Sequence, residues 1–533
     1  MTHWHGYPVP AMRYESLYGD RLVRCFAQRP KSLHAMFAAT LAARPEAQAL
    51  AFEGAYWTYA ECDAAAQRLA AGLADSGVGC GDRIVLLIDN RPEFVFVLLA
   101  LARLGAIAVP VGVREQRPGL SYIARQCGAI GIVAEAALAE RLPDATDAPA
   151  LRLRVAVGEA AGCVPLAALM ASRAAAPVPA EVAETDVAVI LYTSGTTGHP
   201  KGAMLTHLNI AHSVMHFQAC MRLVPSDRSA LAVPASHVTG LIAVIATMLH
   251  VGGTTVIVPV FKAESFIALL QAESVTHTLM VPAMYKLCLM QPGFQDAALD
   301  AWRIGGYGGA PMPLATIDAL AERLPGLSLI NAYGATETTS PTTMMPAGDT
   351  RAHADTVGVA LPAADIRVMD ENGCEVPVGH SGELWIAGPM VVPGYWDNPA
   401  ASVASFTAGY WHSGDLGSID ADGYVRLLDR QKDMLNRGGF KIYSIEVEDV
   451  LTTWPGVQEA AIVAKPCPVL GERVHAFVYA PTTAPDDAAL RAHCTARLAD
   501  YKVPESITWC DAPLPRNANG KLMKRLLRER LTS

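Results

Sequence analysis

Short apolar segments that alternate with helix-like segments are the feature that most constrains the fold of this chain. The runs Arg83–Ile88 and Val187–Leu191 have the length and composition of buried strands, whereas residues 59–76 and 91–104 carry Ala and Leu at helical spacing. Strands that alternate with helices assemble into parallel sheets, because each helix crosses a face of the sheet between two strands. We therefore predict a mostly parallel α/β fold for this part of the chain.

The same alternation continues into the middle of the chain. Strands are predicted at Val256–Val260 and Leu327–Ile330, and helices at Ala263–Ala272 and Leu314–Arg323. Residues 238–249 are apolar and carry no charge, but the stretch is too short to span a bilayer. We interpret it as a core helix.

The pattern changes after about residue 355. The segments Asp365–Met369 and Gly382–Ile386 alternate apolar with polar residues, and Asn-Gly and Asp-Gly pairs of the hairpin type follow in this region. We expect antiparallel strands here, in a small β-barrel-like part at about residues 356–429. From about residue 431 the sequence returns to short strands and helices.

Composition and charge exclude several classes of protein. A chain of 533 residues exceeds what a single core holds, so at least two domains are expected. The net charge of −9 argues against a nucleic-acid-binding surface. Eleven cysteines without a Cys-x-x-Cys pair indicate neither a zinc site nor a disulfide framework. Their odd number suits a reducing compartment, and the N-terminus has no apolar signal core, so we predict a cytoplasmic protein without a membrane span.

Residues 191–207, Leu-Tyr-Thr-Ser-Gly-Thr-Thr-Gly-His-Pro-Lys-Gly-Ala-Met-Leu-Thr-His, point to phosphate chemistry. Glycines let the backbone fold closely around an anion, and exposed N–H groups and hydroxyls donate to phosphate oxygens. The run is not a Walker A sequence, because Pro200 stands five residues after Gly195 and Lys201 is followed by Gly202. The hydroxyls belong to Thr193, Ser194, Thr196 and Thr197, the glycines are Gly195, Gly198 and Gly202, and the cation is Lys201.

This run closely resembles the signature loop of the adenylate-forming superfamily, which comprises acyl-CoA synthetases, peptide-synthetase adenylation domains and luciferases. Further segments resemble other motifs of that superfamily in the same order, and the resemblance extends from about residue 30 to the end of the chain. These segments are Gly305–Ala310, Asn331–Thr338, Tyr410–Asp415 with Leu428–Arg430, Lys432–Glu448 and Pro515–Lys521.

The resemblance implies an α/β fold divided into two domains. Residues 1–429 would form a large N-terminal adenylation domain with the ATP and acyl sites, made of mostly parallel α/β subdomains and the β-barrel-like part. Residues 430–432 would be a hinge, with Lys432 at the hinge position of the family. Residues 433–533 would form a small, mobile α+β C-terminal domain.

The resemblance also assigns nucleotide contacts. A carboxylate beside a hydroxyl at a strand end suits Mg²⁺ over phosphates, so Glu337 would be the metal ligand and Thr336 would contact a phosphate. Tyr333 would stack on adenine, Asp415 would accept hydrogen bonds from the ribose hydroxyls, and Arg430 would lie near ribose and phosphate. The full predicted ATP/AMP set is Thr193, Ser194, Gly195, Thr196, Thr197, Gly198, Lys201, Gly309, Ala310, Asn331, Tyr333, Gly334, Thr336, Asp415, Arg430 and Lys521.

A two-step reaction follows from the resemblance. A carboxylate attacks the α-phosphate of ATP, giving an acyl-adenylate, and a thiol then displaces AMP. Cations and oriented donors stabilise the charge that develops in the first step, so Lys521 would reach the acyl phosphate. Rotation of the C-terminal domain would then bring a CoA-binding loop into place, formed by Gly438, Gly439 and Lys441. The predicted catalytic residues are Lys521, Thr336, Glu337, Lys201 and His237, and the co-substrates and cofactor are ATP, CoA and Mg²⁺.

The acid is less constrained than the nucleotide. His237 resembles the family's gate residue, and residues 235–243 contain no acidic side chain that could hold an ammonium group, so an amino acid substrate is disfavoured. Small or apolar walls favour an aliphatic or aromatic monocarboxylic acid. Lys286 could pair with a second carboxylate of the acid, but we expect it to face solvent. The predicted acyl pocket is His237, Val238, Thr239, Met280, Met284, Tyr307, Gly308 and Gly309.

Several functions stay open beside the leading hypothesis of an ATP-dependent acid–CoA ligase. An acyl-AMP ligase that loads a carrier protein would use the same first step, as would a luciferase-type oxidoreductase. A non-catalytic binding protein would not need Lys201, Glu337, Asp415, Arg430 and Lys521, all of which are present. The expected partners are small molecules and not nucleic acid, while a homodimer and a carrier protein remain open.

Overall fold

The structure is a computed structural model that describes residues 2–172, 174–193, 200–438, 440–482, 486–516 and 522–532. The chain divides into two compact units. The larger unit comprises residues 1–366, 386–412 and 423–425, and the smaller unit comprises residues 367–385, 413–422 and 426–533. No helix within the described residues is long and apolar enough to cross a membrane.

The larger unit contains a seven-stranded sheet. Neighbouring strands are parallel except at one edge of the sheet, where Val187–Thr193 runs antiparallel to Lys201–Thr206. In spatial order they are Lys201–Thr206, Val187–Thr193, Ile107–Pro110, Arg83–Leu87, Gly131–Glu135, Leu153–Val157 and Val164–Pro165.

A nine-stranded sheet forms the second layer of strands in this unit. Its central strands are parallel and both of its edges are antiparallel. In spatial order they are Val359–Ala360, Ser340–Met344, Ser328–Ala335, Ile304–Tyr307, His277–Met280, Arg228–Leu231, Thr254–Ile257, Gln48–Phe52 and Ala55–Thr58. A separate hairpin, Met12–Leu17 with Arg21–Phe26, precedes both sheets.

Some helices of the larger unit begin or end at residues whose chemistry suits a cap. Thr58 and Glu61 form a capping box at the start of Tyr59–Asp75, and Gly105 ends Pro92–Leu104 with a φ of 66°. The α-helices are Leu33–Ala43, Tyr59–Asp75, Pro92–Leu104, Arg117–Gln126, Leu166–Met170, His207–Met221, Thr247–Val251, Ala263–Ala272, Pro282–Leu289, Leu314–Arg323 and Pro399–Ser405. Shorter turns of 3₁₀ helix are Thr2–Trp4, Ala136–Arg141, Pro292–Phe294 and Thr336–Thr338.

The predicted α/β organisation is confirmed, with three local differences. The strand predicted at Leu327–Ile330 runs over Ser328–Ala335 and is extended by antiparallel pairing with Ser340–Met344. The strand predicted at Val256–Val260 begins earlier, at Thr254, and ends at Ile257, because Pro259 cannot continue a sheet ladder. The helix predicted at residues 238–249 is π-helical over Thr239–Ala246 before it becomes α-helical. There the Thr247 hydroxyl donates to the carbonyl of Ile242, five residues back.

The strands predicted after residue 355 form a five-stranded sheet. Its strands are Asp365–Met369, Gly382–Ala387, Tyr410–Ile419, Phe406–Thr407 and Val425–Arg430.

The smaller unit has its own sheet and helices around a separate hydrophobic core. The sheet consists of Phe440–Ile442, Leu435–Arg437, Gly471–Tyr479, Glu459–Cys467 and Ser506–Cys510. The helices are Ser444–Thr452, Asp487–Thr495 and Lys524–Thr532, with a 3₁₀ turn at Asp500–Lys502.

Candidate active site

The parallel pairing of three neighbouring strands of the nine-stranded sheet ends at one level. Met280 pairs with Tyr307 and Tyr307 with Asn331, where the strands His277–Met280 and Ile304–Tyr307 end. The third strand, Ser328–Ala335, continues from there in antiparallel pairing with Ser340–Met344. Ligands of open α/β sheets bind outside such carboxyl ends. The segments that follow these strands therefore lie where a nucleotide or acid can bind.

The predicted phosphate loop connects two paired strands. Thr193 and Lys201 are partners in the antiparallel pairing, so both ends of the loop are held close together. Five predicted contacts on the loop, Ser194, Gly195, Thr196, Thr197 and Gly198, lie outside the described residues.

Glu337, which follows the strand Ser328–Ala335, lies close to both ends of this loop. Its carboxylate Oε1 accepts a hydrogen bond from the Tyr395 hydroxyl at 3.0 Å and one from the Thr193 hydroxyl at 3.5 Å. The Lys201 ammonium lies 5.0 Å from the centre of the Tyr395 ring. Thr193, Lys201 and Glu337, which are distant in sequence, therefore share one cluster.

The local backbone fixes Glu337. It lies in the 3₁₀ turn Thr336–Thr338, where the Thr338 hydroxyl accepts from the Ala335 N–H at 2.9 Å. The Glu337 carbonyl accepts from the Val392 N–H at 2.9 Å. Thr336 precedes Glu337 on this turn and is partly exposed.

The donor set at Glu337 fits Mg²⁺. The side chain is 8 % exposed and offers carboxylate oxygen, a preferred magnesium ligand. Within the described part of the chain no three His, Cys, Asp or Glu side chains cluster as metal ligands. Magnesium bound by one carboxylate together with substrate phosphates does not need such a cluster.

Glycines in the segment Gly305–Ala310 let the backbone lie close to the neighbouring strand, and they leave its outer surface uncovered by side chains. A Cβ at Gly308 would lie 2.4 Å from the Ala332 carbonyl oxygen, so no larger residue fits there. Gly309 has a φ of +77°, which favours glycine. Gly309, Ala310 and Gly334 are exposed, whereas Asn331 is buried and Tyr333 is half-buried. This leaves an open backbone surface where the sequence predicts the adenine.

His237 follows the strand Arg228–Leu231 and borders the π-helix. The Thr239 N–H donates to its Nδ1 at 3.3 Å, and the Thr239 hydroxyl lies 3.2 Å from the same atom. A neutral His237 that accepts at Nδ1 carries its proton on Nε2. His237 and Thr239 are half-buried, and Val238 is buried.

The remaining residues of the predicted acyl pocket differ in depth. Met280 and Tyr307 are each 1 % exposed and pack in the hydrophobic core under the sheet. Met284 is half-buried at the edge of that core, and Lys286 is exposed, as expected. Strand residues on this face pack against helices, which explains the burial of the first two side chains.

The smaller unit holds the predicted ribose contacts. Arg430 Nε lies 3.3 Å from Asp415 Oδ1, and the Asp415 N–H donates to the Ser413 hydroxyl at 3.0 Å. Asp415 is 9 % exposed, whereas the Arg430 side chain is 41 % exposed. The structure therefore brings these two predicted residues together.

Predicted hinge and CoA residues lie in the same unit. Lys432 is exposed in a turn, and its carbonyl accepts from Arg528 Nη2 at 3.1 Å. Gly438 has a φ of +59°, and Lys441 is exposed. Gly439 and Lys521 lie outside the described residues.

Sequence reasoning missed a buried polar network in the smaller unit. The Lys524 ammonium pairs with Glu448 at 2.6 Å and donates to the Ser444 hydroxyl at 2.6 Å. Ser444 in turn donates to Asp429 through its hydroxyl, at 3.0 Å, and through its N–H. Burial raises the pKa of both Asp429 and Glu448. No local pattern marks this network, because its members come from three separate segments: the strand Val425–Arg430 and the helices Ser444–Thr452 and Lys524–Thr532.

Tyr395 was also missed. It lies in the run Pro393-Gly-Tyr-Trp396, which carries no signal of its own. Residues 394–396 bond to the strand Lys201–Thr206, so that the Met204 N–H donates to the Gly394 carbonyl and the Trp396 N–H to the Gly202 carbonyl. This long-range pairing, together with the bond from the Val392 N–H to the Glu337 carbonyl, brings the tyrosine to Glu337.

Comparisons with known proteins agree with this geometry. The family model described as AMP-binding enzyme matches residues 37–396, and the AMP-binding enzyme C-terminal domain matches residues 446–521. The chain is 34 % identical to a feruloyl-CoA synthase from Amycolatopsis, over 91 % of this chain and 96 % of that protein. It is 32 % identical to the fatty acid–[acyl-carrier-protein] ligase ScoC from Streptomyces coeruleorubidus, over 91 % of this chain and 94 % of that one.

Solved structures give the same result. The crystal structure of ATP-bound MatB from Rhodopseudomonas palustris superposes with a TM-score of 0.86 at 30 % identity, covering 94 % of this chain and 99 % of that chain. Together, the matched family models, the relatives and the clustered site residues show that this chain belongs to the AMP-binding enzymes of the adenylate-forming superfamily, as an AMP-forming acid–CoA ligase.

Proposed function

We propose that this enzyme activates an aliphatic or aromatic monocarboxylic acid and transfers the acyl group to CoA. The observation that supports it most is the cluster of Thr193, Lys201 and Glu337, since it combines a cation, a hydroxyl and a carboxylate at a strand end. The relatives act on both kinds of acid, by name on ferulate and on fatty acids. CoA ligases of this family use ATP, Mg²⁺ and CoA.

In the first half-reaction a carboxylate oxygen attacks the α-phosphorus of ATP, and the bond to pyrophosphate breaks. Negative charge grows on the phosphoryl oxygens, so oriented cations and donors lower the barrier more than a general base does. We assign that role to Lys201, to the hydroxyl of Thr193 and to Lys521. Mg²⁺, which Glu337 would hold, neutralises phosphate charge.

In the second half-reaction the CoA thiol attacks the acyl carbon, and the bond from that carbon to the AMP oxygen breaks. We propose that Gly438, Gly439 and Lys441 belong to the loop that serves this step. Lys432 would be the hinge at which the C-terminal domain, residues 433–533, changes orientation between the steps. Asp415 and Arg430 would hold the ribose and phosphate of the nucleotide.

The acid would enter beside His237. The half-buried His237, Thr239 and Met284 offer an apolar to weakly polar surface, and residues 235–243 contain no carboxylate for an ammonium group. Met280 and Tyr307 would form the floor of the pocket, since both are packed in the core.

A panel of acids tests this assignment. Aliphatic acids of increasing length, cinnamic-type aromatic acids, dicarboxylic acids and amino acids are compared for pyrophosphate release, with and without CoA. We expect monocarboxylic acids to be activated and CoA to accelerate AMP formation. A clear preference for amino acids or dicarboxylic acids would contradict the proposed pocket.

A second candidate is transfer to a carrier-protein thiol. It is favoured by the similarity to a fatty acid–[acyl-carrier-protein] ligase. Turnover with a phosphopantetheinylated carrier protein but not with CoA would replace the leading proposal.

Two further points concern the whole protein. All eleven cysteines are free, which supports our proposal of a reducing, cytoplasmic location. Whether the protein forms a homodimer is tested by light scattering at several protein concentrations, which measures its molar mass in solution.

A further inference from the structure

Tyr395 is a buried side chain with three distinct partners at the candidate site. Its hydroxyl donates to Glu337 Oε1 at 3.0 Å, the face of its ring lies 5.0 Å from the Lys201 ammonium, and its edge contacts the Phe406 ring at 6.0 Å between centroids. The residue is 5 % exposed. One side chain therefore contacts both the proposed metal ligand and the proposed phosphate-binding cation.

The backbone around Tyr395 is held from several sides. The Arg21 guanidinium donates to the carbonyls of Val392 and Pro393 at 3.0 and 2.9 Å, and the Tyr395 N–H donates to the Ser402 hydroxyl at 2.9 Å. An isolated bridge pairs Tyr395 with Ala203. This many bonds around one residue indicate that its position is fixed before any ligand binds.

In the pair of Tyr395 and Glu337, the tyrosine hydroxyl is a hydrogen-bond donor in a fixed position. A tyrosine hydroxyl has an ordinary pKa of about 10 and keeps its proton at neutral pH, so it is the donor in its hydrogen bond to the Glu337 carboxylate. A neutral donor favours the charged form of the carboxylate to which it donates, and the hydrogen bond limits the rotation of that carboxylate. The ring face, which is electron-rich, attracts the Lys201 ammonium at the same time.

We propose that Tyr395 is a positioning residue for adenylation: its hydroxyl orients the Glu337 carboxylate for Mg²⁺, and its ring holds the Lys201 ammonium beside it. This inference rests on the proposed metal role of Glu337. Outer partners of metal ligands affect metal affinity by about 10- to 100-fold. The tyrosine hydroxyl and the tyrosine ring have separate roles, which separate substitutions can distinguish.

The test is a Mg²⁺ titration of acid-dependent pyrophosphate release by the full-length protein. Tyr395→Phe removes only the hydroxyl, and we expect the Mg²⁺ concentration at half-maximal rate to rise on the order of tenfold, with little change in KM for the acid. Tyr395→Leu also removes the ring, and we expect an additional increase in KM for ATP. Glu337→Gln is the reference for loss of the metal ligand.

Tyr59→Phe is the matched control. Its hydroxyl is equally buried and donates to the carbonyls of Met248 and Gly253, away from the site. It should lose some stability without changing the Mg²⁺ requirement. A merely structural role for Tyr395 would give the same result as this control.

The outcomes separate the two proposals. The positioning role alone is overturned if Tyr395→Phe is stable and has the wild-type Mg²⁺ requirement while Glu337→Gln has a raised Mg²⁺ requirement. If the Mg²⁺ requirement of Glu337→Gln equals that of the wild type, the metal role of Glu337 is overturned, and this inference with it. If Tyr395→Phe does not fold, Tyr395→His is titrated instead, because it keeps an aromatic ring without the phenol hydroxyl. A folded Tyr395→His protein with the wild-type Mg²⁺ requirement then overturns the proposal.

Discussion

Four histidines are fully buried in the larger unit, whereas the smaller unit buries a lysine between two carboxylates. Desolvation lowers the pKa of these four imidazoles to between about 3 and about 4, so they are neutral. In the smaller unit, burial raises the pKa of Asp429 and Glu448, and Lys524 lies within the network that joins them. The four histidines are His207, His212, His216 and His277.

This difference suggests two ways of holding a site. In the larger unit, Glu337 accepts from two neutral hydroxyls, those of Tyr395 and Thr193, and the buried histidines are neutral as well. The smaller unit uses charged groups to attach the helix Lys524–Thr532, which begins three residues after Lys521, to Ser444 and Asp429. We expect the larger unit to be sensitive to acid, because its buried histidines would gain charge, and the smaller unit to be sensitive to loss of a charge.

Acidification should give the largest effect. A histidine whose folded pKa is lowered contributes stability above its unfolded pKa of about 6.5, and this stability is lost as the pH falls towards 4. At pH 5.5 each of the four would cost roughly 1.3 kcal/mol, or about 5 kcal/mol together. Hydrogen exchange with peptide resolution at pH 7.5 and 5.5 measures the loss in each unit.

The smaller unit should lose less protection over the same range. It has one comparable histidine, His475, with a pKa lowered to about 4 by burial. The raised pKa values of Asp429 and Glu448 act in the opposite direction, because acidification removes the cost of their buried charges. Earlier loss of protection in the smaller unit would contradict the comparison.

Lys521→Ala should have the next largest effect. The lost cation should slow adenylation about 10²- to 10³-fold, as the loss of one main electrostatic contact does. Thioester formation from presynthesised acyl-AMP should survive, because the proposed rotation removes the lysine from that step. Equal losses in both half-reactions would show that either the role or the rotation is wrong.

Lys524→Met tests the network that anchors the last helix. Removing one partner of a buried charge pair costs about 3 kcal/mol, and we expect adenylation to slow more than thioester formation because Lys521 lies just before this helix. Arg525→Met is the control, since Arg525 pairs with Glu529 at the surface and should change stability by less than about 0.5 kcal/mol. Urea unfolding and the two half-reactions measure both variants.

Lys432→Pro should have the smallest effect on the whole reaction. Proline fixes φ near −65°, which should favour one domain orientation and reduce thioester formation about tenfold while adenylation is largely kept. A thermal melt checks folding. A well-folded variant with normal thioester formation would remove the hinge assignment.

The sequence predicted what depends on local pattern. The helices Ala263–Ala272 and Leu314–Arg323 have the predicted bounds, since apolar spacing determines them. The family and the reaction class, predicted from motifs such as residues 191–207, are confirmed by the comparisons. What depends on long-range packing was not predicted: the approach of Tyr395 to Glu337 and the depth of Met280 and Tyr307.

An oxygen-label experiment tests the central account most directly. The enzyme is supplied with an acid carrying ¹⁸O in both carboxylate oxygens, together with ATP, Mg²⁺ and CoA, and the products are analysed by mass spectrometry. Because a carboxylate oxygen bonds to the α-phosphorus and leaves with it, we predict one ¹⁸O in AMP, none in pyrophosphate, and one in the acyl-CoA. Unlabelled AMP, or label in ADP or inorganic phosphate, would contradict the acyl-adenylate mechanism.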